Sequence, residues 1–309
     1  MKRNKVLVTG GAGFIGSNLV ETLVDLGNEV TVLDNLSNGK LENLDFLKDK
    51  INFIEGDIRD SKLISELMVG KDCVFHLAAM IYVSESVEKP KLCNEINVVA
   101  TKYILDECVK NNVKFIFTSS AAVYGEDNSP VKFESITPNP ISPYAKSKLD
   151  VELLCEEYKN QFNLNYVCFR NFNVYGPKQD INSPYAAVIA SFINKALSSD
   201  PLAIFGDGDQ TRDFIYVGDV VDAMIIAYEL EKSGVFNLGC NEIINLKELA
   251  SLILGKINSD SSIEYHSERK GDLKHSRASS KKFQDMSSWI PKTTLSLGID
   301  KTIKYYSNI

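Results

Sequence analysis

The sequence has few of the residues that build metal sites and disulfide frameworks. Only three histidines occur among its 309 residues, and none has a second ligand at the spacing of a metal site, so we predict no metal. The six cysteines form no Cys-x-x-Cys pair, and several lie in apolar runs. We therefore expect buried, reduced thiols rather than disulfides.

Long hydrophobic runs are also missing. The first apolar run is interrupted by the Thr-Gly-Gly of residues 9–11 after only three residues, so it predicts no export signal. The run from Val220 to Leu230 is short and contains Asp222 and Glu229, which argues against a membrane span. We expect a cytoplasmic protein.

An excess of basic residues is absent as well. The 34 lysines and arginines are outnumbered by 41 aspartates and glutamates, which leaves a net charge of -7. This balance argues against nucleic acid or an anionic membrane as the main partner. An anionic ligand must then be met by local positive groups. The chain is long enough for one large α/β domain with a smaller appendage.

Short apolar runs alternate with helical patterns over the first 175 residues. This order predicts a doubly wound parallel sheet covered on both faces. We predict a larger domain over residues 1–175, with segments from about 213–240 returning to it, and a smaller substrate-binding α/β lobe mainly over residues 176–309. Strands are predicted at Lys5 to Thr9, Glu29 to Leu33, Ile51 to Glu55, Cys73 to Leu77, Lys114 to Ser119 and Asn165 to Phe169. Helices are predicted at Gly16 to Leu26, Ile64 to Met68, Glu95 to Lys110 and Pro143 to Phe162.

A glycine-rich turn follows the first predicted strand and opens the first helix. Gly10, Gly13 and Gly16 permit a tight turn, a close approach of the backbone to a pyrophosphate, and packing of the helix on the strand. The phosphates would face the helix N-terminus. The turn therefore predicts a Rossmann-type dinucleotide site, in which we include Phe14 and Ile15.

Two aspartates end the next two strands. A carboxylate at Asp34 can accept the adenosine ribose hydroxyls and would repel a 2′-phosphate, so NAD is favoured over NADP. The alternative, a simple turn carboxylate, is less favoured after this glycine turn. We also place the neighbouring Asn35 at the cofactor. Asp57, with Ile58 beside it, either caps the adenine edge or is a turn residue, and the sequence leaves both open.

Tyr144 and Lys148 are four positions apart, so on a helix they share one face. A lysine ammonium beside a tyrosine favours the phenolate, which can then take a proton from a hydroxyl near neutral pH. Ser120 directly follows the strand predicted from Lys114 to Ser119, and it can hold that hydroxyl and relay its proton to Tyr144. Taken alone, the pair also fits a solvated helix face, and Ser120 also fits the cap of a turn.

These motifs together resemble the extended short-chain dehydrogenase/reductases, specifically the NAD-dependent nucleotide-sugar epimerases of the UDP-glucose 4-epimerase type. They follow the family order from residue 6 to about residue 280. Besides the glycine turn, the serine and the Tyr-Lys pair, the resemblance rests on the segments His76 to Ala79, Arg170 to Pro177 and Thr211 to Val217.

The resemblance implies that Tyr144, Lys148 and Ser120 are catalytic and that the protein is a homodimer. Tyr144 and Ser120 would also contact the substrate. Further cofactor-binding residues implied are Leu77, Ala78, Ala79, Asn97, Ser119, Tyr144 and Lys148. Further substrate-binding residues implied are Asn173 and Arg212 on the diphosphate, Arg269 as a second phosphate arginine, and Ala203 to Phe205 against the uracil. A structural ion pair with Asp213 is the alternative for Arg212.

The segment after Ser120 helps to choose the reaction. Relatives that dehydrate or decarboxylate nucleotide sugars carry acidic side chains where this chain has Ala121 or Ala122. Those reactions need groups that manage an additional proton or a carboxylated intermediate, and a methyl group cannot do so. The resemblance therefore implies C4 epimerisation of a UDP-hexose through a transient 4-keto intermediate.

The width of the sugar site depends on Ser276, where some family members have a tyrosine. A small residue leaves room for an N-acetyl group unless neighbouring chains refill the space, so UDP-N-acetylglucosamine and UDP-N-acetylgalactosamine are expected additional substrates. Two alternatives remain open. One is an epimerase or reductase for another nucleotide sugar, such as a uronic acid or a dTDP-hexose. The other is a non-catalytic protein that senses NAD.

Overall fold

The computed structural model describes residues 4–181, 187–268 and 274–307. The chain divides into two compact units, and it leaves the first unit three times and returns to it twice. The first unit comprises residues 1–125, 137–170 and 221–236, and the second comprises residues 126–136, 171–220 and 237–309.

The strands are short, and the longest has seven residues. They are β1 Lys5–Thr9, β2 Glu29–Asp34, β3 Ile51–Glu55, β4 Cys73–His76, β5 Lys114–Ser120, β6 Tyr166–Asn171, β7 Val174–Tyr175, β8 Leu202–Phe205, β9 Thr211–Arg212, β10 Ile215–Tyr216, β11 Gly234–Leu238, β12 Ile244–Asn245, β13 Ile263–His266 and β14 His275–Ser276.

The helices include one π-helical turn, Glu95–Val99, and two 3-10 helices, Leu41–Leu47 and Ala121–Tyr124. The α-helices are α1 Phe14–Asp25, α2 Ser61–Met68, α3 Val83–Glu88, α4 Pro90–Asn94, α5 Ala100–Asn111, α6 Pro143–Phe162, α7 Val188–Leu197, α8 Val217–Glu229, α9 Leu246–Ile257, α10 Lys281–Ser287 and α11 Leu295–Tyr306. Within the described ranges, no helix has both the length and the apolar character that a membrane span requires.

A seven-stranded sheet forms the centre of the first unit, in the order β11-β6-β5-β4-β1-β2-β3. β1 pairs in parallel with β2 and β4, and parallel pairing continues from β2 to β3 and from β4 to β5. The chain order reverses beside β1, which is the point where open α/β sheets bind ligands. The predicted Rossmann-type parallel sheet is confirmed.

The central strands are apolar along their whole length because both faces of the sheet are covered. Leu7, Val74 and Phe115 come from three neighbouring strands and are fully buried, in one cluster with Ile104 of α5 and Val151 of α6. Five of the six cysteines are buried free thiols as expected, and Cys240 is half-buried.

Helix α6 begins and ends where its sequence signals predict. Ser142 is the N-cap, and its side chain accepts the backbone N–H of Ala145, while Pro143 occupies the first helical position. Asn163 ends the helix in the left-handed conformation. The predicted range from Pro143 to Phe162 is therefore confirmed.

The range predicted as a helix from Glu95 to Lys110 is helical throughout, but its first residues form a π-helical turn. The chain forms α4, then the π-helical turn Glu95–Val99, and only then α5. A π-turn widens the helix by one residue and is frequent at functional sites. Periodicity in sequence did not reveal it, because apolar residues continue through the turn.

The second unit is built from short strands around a separate apolar core. β7 pairs with β10, β8 with β13, and β9 lies between β12 and β14. Helices α7 and α9 cover this core with Ile189, Phe192, Leu249 and Ile253, all of which are buried. The β9–β14 pair is parallel and places Ser276 directly beside Arg212.

Candidate active site

The turn between β1 and α1 requires glycine. Gly10 has a φ of +70°, and a Cβ there would lie 2.6 Å from the backbone nitrogen of Ala78. A Cβ on Gly16 would lie 2.1 Å from the carbonyl oxygen of Gly10. The Gly13 N–H donates to the same oxygen at 3.2 Å. Glycine is therefore required by close backbone packing, at Gly10 against the segment after β4 and at Gly16 within the turn itself, which is the tight geometry of a pyrophosphate-binding turn.

The start of α1 offers backbone donors at this turn. Gly13 is the N-cap, and Phe14 and Ile15 begin the helix. The first intrahelical bond of this turn is from the Ser17 N–H to the Gly13 carbonyl, at 2.9 Å. The N–H groups before it point out of the helix end, where the helix dipole favours an anion. This cradle fits the diphosphate of a dinucleotide.

Asp34 lies at the end of β2, and the backbone around it holds its carboxylate. Its two oxygens accept the N–H groups of Ala12 and Leu36, both at 2.9 Å. Burial raises the pKa of Asp34, against these two hydrogen bonds, which lower it. Each oxygen keeps a lone pair for a ribose hydroxyl. The position and chemistry fit the predicted ribose site.

Asp57 follows β3 and is held by side chains. Arg59 donates to it from Nε at 2.9 Å and from Nη2 at 2.8 Å, and Asn35 donates from Nδ2 at 3.0 Å. The hydrogen bonds from Arg59 are the main reason why the pKa of Asp57 falls to about 2. Asn35 and Asp57 are thus brought together beside the end of β2, and the adjacent Ile58 is buried.

The end of β4 lies against the glycine turn. The Leu77 N–H donates to the Thr9 carbonyl at 3.1 Å, and Ala78 lies beside Gly10, with Ala79 following. His76 has a structural role: its ring nitrogens bond to the hydroxyls of Thr9 and Thr101 at 2.7 and 2.8 Å. Burial lowers the pKa of His76 to about 3, so the ring is neutral.

Tyr144, Lys148 and Ser120 meet at the end of β5. The Ser120 side chain lies near the Tyr144 phenol and lowers its pKa. Lys148 Nζ donates to the Thr118 carbonyl at 2.9 Å and lies 5.8 Å from the centroid of the Tyr144 ring. It also lies 4.6 Å from the centroid of the Phe117 ring. The predicted catalytic residues are therefore together.

The pKa of Tyr144 shifts in the opposite direction to the one expected from the sequence, and the pKa of Lys148 shifts as well. Burial raises the pKa of Tyr144, and the nearby Ser120 side chain lowers it by less. We expected Lys148 to lower this pKa, and within the chain alone desolvation outweighs the groups that lower it, so the net shift is upward. Burial lowers the pKa of Lys148 itself to about 8, opposed by nearby groups that include the Glu152 carboxylate.

Asn97 lies in the π-helical turn and is buried. Its Oδ1 accepts the Met80 N–H at 2.7 Å, and its Nδ2 donates to the Met80 carbonyl at 3.1 Å and to Ser147 Oγ at 2.9 Å. Ser147 in turn donates to the Tyr144 carbonyl at 2.8 Å. Asn97 therefore connects the segment after β4 to α6, close to Tyr144.

Two residues at this site were missed from the sequence. Glu152 and Arg170 form a buried ion pair, and Ser119 donates its hydroxyl proton to Glu152 Oε1 at 2.5 Å. The Ser119 hydroxyl, which the resemblance placed at the cofactor, is thus engaged by the protein. The available signal was the position of Glu152, four residues after Lys148 on the same helix face.

The predicted substrate residues of the second unit lie on its short strands and their connections. Asn173 Nδ2 donates to the Asp213 carbonyl at 2.7 Å, and Arg212 Nη1 donates to the Thr211 carbonyl at 2.9 Å. Ala203 is exposed on β8, and the Phe205 ring lies 5.3 Å from that of His266. Arg269 lies outside the described residues.

The alternative considered for Arg212 was a structural ion pair with Asp213, so the contacts of the Asp213 carboxylate matter here. It is fully buried and accepts the backbone N–H groups of Cys240, Asn241 and Ala278 at 2.8 to 3.0 Å. Its two oxygens are thus satisfied by the backbone. Burial raises the pKa of Asp213 to about 6, against these three hydrogen bonds. The carboxylate therefore organises the loop around β9 and β14.

Comparison with known proteins gives one family. Residues 6–239 match the NAD dependent epimerase/dehydratase family. The UDP-glucose 4-epimerase of Mycolicibacterium smegmatis is 38% identical over 310 residues, which cover 98% of this chain and 99% of that protein.

Two solved structures of nucleotide-sugar epimerases are similar to this chain over nearly its whole length. A UDP-N-acetylglucosamine 4-epimerase from Methanobrevibacter ruminantium, in complex with UDP-N-acetylmuramic acid, has a TM-score of 0.95 and 41% identity, covering 100% of this chain and 99% of that one. The UDP-glucose 4-epimerase of Thermotoga maritima, with UDP-glucose, has a TM-score of 0.93 and 36% identity, covering 98% and 99%.

Proposed function

Because the chain belongs to the NAD dependent epimerase/dehydratase family, we propose that it interconverts UDP-glucose and UDP-galactose through a transient 4-keto intermediate. The observation that carries the proposal is that Ser120, Tyr144 and Lys148 meet at the end of β5, with Ala121 and Ala122 directly after Ser120. The site can move one proton to and from a sugar hydroxyl. The two methyl groups offer nothing for a dehydration or a decarboxylation.

NAD is the cofactor, and the glycine turn and Asp34 fit it. When bound, it would supply hydride-transfer chemistry at C4, and its oxidised, cationic form would favour the Tyr144 phenolate. Tyr144 accepts the proton of the C4 hydroxyl while Ser120 holds that oxygen. The same tyrosine then gives the proton back, so the reaction needs no external acid.

Lys148 has two tasks in this proposal. Its hydrogen bond to the Thr118 carbonyl fixes the ammonium between β5 and α6 and leaves two donors for other partners. The pKa of Lys148, about 8, keeps it mostly charged near neutral pH. A charged lysine on the helix face of Tyr144 favours the phenolate during proton transfer.

We assign the nucleotide to side chains of the second unit. Arg212 and Asn173 would bind the diphosphate, since a guanidinium fork matches phosphate oxygens. The strip Ala203 to Phe205 would contact the uracil, and the tilted ring contact of Phe205 with His266 supports it, because that contact orients an aromatic face on β8. Arg269 remains a predicted second phosphate ligand.

A direct assay tests the proposal. The protein is incubated with UDP-glucose and, separately, with UDP-galactose, and the products are resolved by chromatography. We expect each sugar to yield the other without net release of reduced cofactor. A dehydrated or decarboxylated product, or stoichiometric consumption of reduced cofactor, would contradict it. Bound NAD without any turnover on nucleotide sugars would favour a sensor.

UDP-N-acetylglucosamine and UDP-N-acetylgalactosamine are proposed as additional substrates. Ser276 is half-buried and lies directly beside Arg212 in the β9–β14 pair. A small side chain next to the proposed diphosphate ligand is consistent with a wide sugar site. The Methanobrevibacter relative, which is named for UDP-N-acetylglucosamine, supports this second pair.

Replacing Ser276 tests the width of the sugar site. Ser276→Tyr is expected to lower kcat/KM for the N-acetylated pair by about tenfold or more while sparing UDP-glucose, because only the larger sugar meets the ring. Ser276→Ala is the matched control and should leave the ratio unchanged. Equal losses on both sugar pairs would mean that Ser276 does not determine the width of the sugar site.

The homodimer and the cytoplasmic location stay predictions.

A further inference from the structure

The ion pair between Glu152 and Arg170 is buried, and the mechanism above gives neither residue a role. Arg170 Nη2 donates to Glu152 Oε2 at 2.7 Å, and Arg170 Nε donates to both carboxylate oxygens at 3.1 Å. Glu152 is 3% exposed and Arg170 5%. A buried pair with this geometry contributes little net stability compared with an apolar pair of the same size. Stability alone therefore does not account for it.

The pair completes a row of contacts between β5 and α6. Tyr144, Lys148 and Glu152 follow each other at intervals of four residues, so they lie on one face of the helix. Three consecutive residues of β5 meet this face. Lys148 Nζ donates to the Thr118 carbonyl, Ser119 Oγ donates to Glu152 Oε1, and the Ser120 side chain lies near the Tyr144 phenol.

Arg170 also holds the segment that follows Ser120. Its guanidinium carbon lies 4.9 Å from the ring centroid of Tyr124, which ends the 3-10 helix Ala121–Tyr124. Ser120 caps this helix by accepting the Ala122 N–H at 3.2 Å. Glu152 thus fixes the residue before Ser120, and Arg170 fixes the helix after it.

We propose that Glu152 and Arg170 are positioning residues that keep the Ser120 hydroxyl on the Tyr144 phenol. The inference rests on the proposed function for its role in catalysis. The pair touches neither substrate nor cofactor in this proposal, and acts through Ser119 and Tyr124. A shift of about 1 Å in a reacting group can lower a rate on the order of 100-fold, so a pair that fixes β5 on α6 has a kinetic effect.

Glu152→Gln is the first test. The amide keeps an acceptor for Ser119 but turns an NH2 group toward Arg170, so the fork is lost. We expect kcat with UDP-glucose to fall about 10- to 100-fold while KM and bound NAD stay unchanged. Asp150→Asn is the matched control: it breaks the exposed pair with Lys146 on the same helix and should leave kcat unchanged.

A double variant separates positioning from folding. Glu152→Met with Arg170→Met removes both charges at similar volume, so the protein should fold with little change in melting temperature. We expect its kcat to fall as in Glu152→Gln. Arg170→Lys keeps the charge without the fork, and an intermediate kcat is expected. If the double variant keeps the wild-type kcat, or if the loss lies entirely in KM or bound NAD, the proposal is wrong.

A second readout does not depend on the reaction. Titration of the phenolate absorbance of the NAD-loaded protein, minus that of Tyr144→Phe, isolates the pKa of Tyr144. Because the Ser120 side chain lowers this pKa, moving it away from the phenol in Glu152→Gln should raise the value by about half a unit or more. If the wild type fails to epimerise, the proposed function fails, and this titration alone decides the positioning role. An unchanged titration overturns it.

Discussion

The two ends of the first unit's site are held in different ways. At the glycine turn, the backbone sets the shape: Gly16 leaves no space for a Cβ, and Asp34 accepts two backbone N–H groups. At the other end, where Ser120 and Tyr144 lie (the reacting end), buried side chains make the contacts: Lys148 donates to a backbone carbonyl, and Glu152 pairs with Arg170. Added volume at the glycine turn should therefore lower NAD affinity, whereas the loss of a single polar group at the reacting end should lower kcat.

The strongest test of the reacting end removes one oxygen. Tyr144→Phe deletes the proton acceptor while keeping the ring, so we expect kcat to fall by about 100- to 10,000-fold. Interconversion of UDP-glucose and UDP-galactose measures it. Tyr158→Phe is the matched control on the same helix, since its phenol bonds to Asp106 rather than to a reacting group. Undiminished interconversion by Tyr144→Phe would refute the mechanism.

The corresponding test of the glycine turn adds one carbon. In Gly16→Ala the new Cβ would lie 2.1 Å from the Gly10 carbonyl oxygen, so the turn must open. Overpacking of this kind costs about 1–3 kcal/mol, which predicts a loss of NAD affinity of about 10- to 100-fold. Calorimetric titration with NAD measures it.

Another helical glycine gives the control for this substitution. Gly255 lies in α9, and a Cβ there meets nothing within 4 Å. Gly255→Ala should therefore leave NAD affinity unchanged and stabilise the protein by about 1 kcal/mol, since alanine is the better helix former. If the two alanine variants bind NAD alike, the turn does not depend on the missing Cβ.

The sequence predicted what local rules determine. The glycine spacing, the carboxylate at Asp34 and the capped helix carrying Tyr144 depend on neighbouring residues, and the structure places each as expected. Ser120 was found because strand ends in α/β sheets carry ligand-binding residues. These features account for the fold of the first unit and for its reacting residues.

The remaining features depend on contacts between distant residues. Glu152 and Arg170 are 18 positions apart and lie on different elements. The bonds of Asn97 to Met80 and Ser147 require the π-helical turn, which continues an apolar pattern without a sequence signal. The pKa of Tyr144 depends on burial, which only the fold determines. For such features, pair spacing alone is not informative.

The pH dependence of kcat tests the role of Lys148 at the reacting end. Burial lowers the pKa of Lys148 to about 8, so its charge is present below that pH and is lost above it. We expect kcat to fall as pH rises through this value, about tenfold per unit at most, because a neutral lysine no longer favours the phenolate. In Lys148→Arg the guanidinium stays charged, so this decline should disappear. A decline that persists in Lys148→Arg would assign it to another group.

The smallest expected effect compares the two aspartates near the cofactor. Both oxygens of Asp34 accept backbone N–H groups, so Asp34→Asn must turn an NH2 group against one of these donors. Asp57 is partly exposed and bonds mainly to Arg59, so Asp57→Asn loses a pair that solvent already weakens. We expect NAD affinity to fall about fivefold or more in the first variant and less than about threefold in the second. Equal losses in calorimetric titration would mean that Asp57 binds the cofactor as directly as Asp34, and the backbone would then not be what distinguishes the two sites.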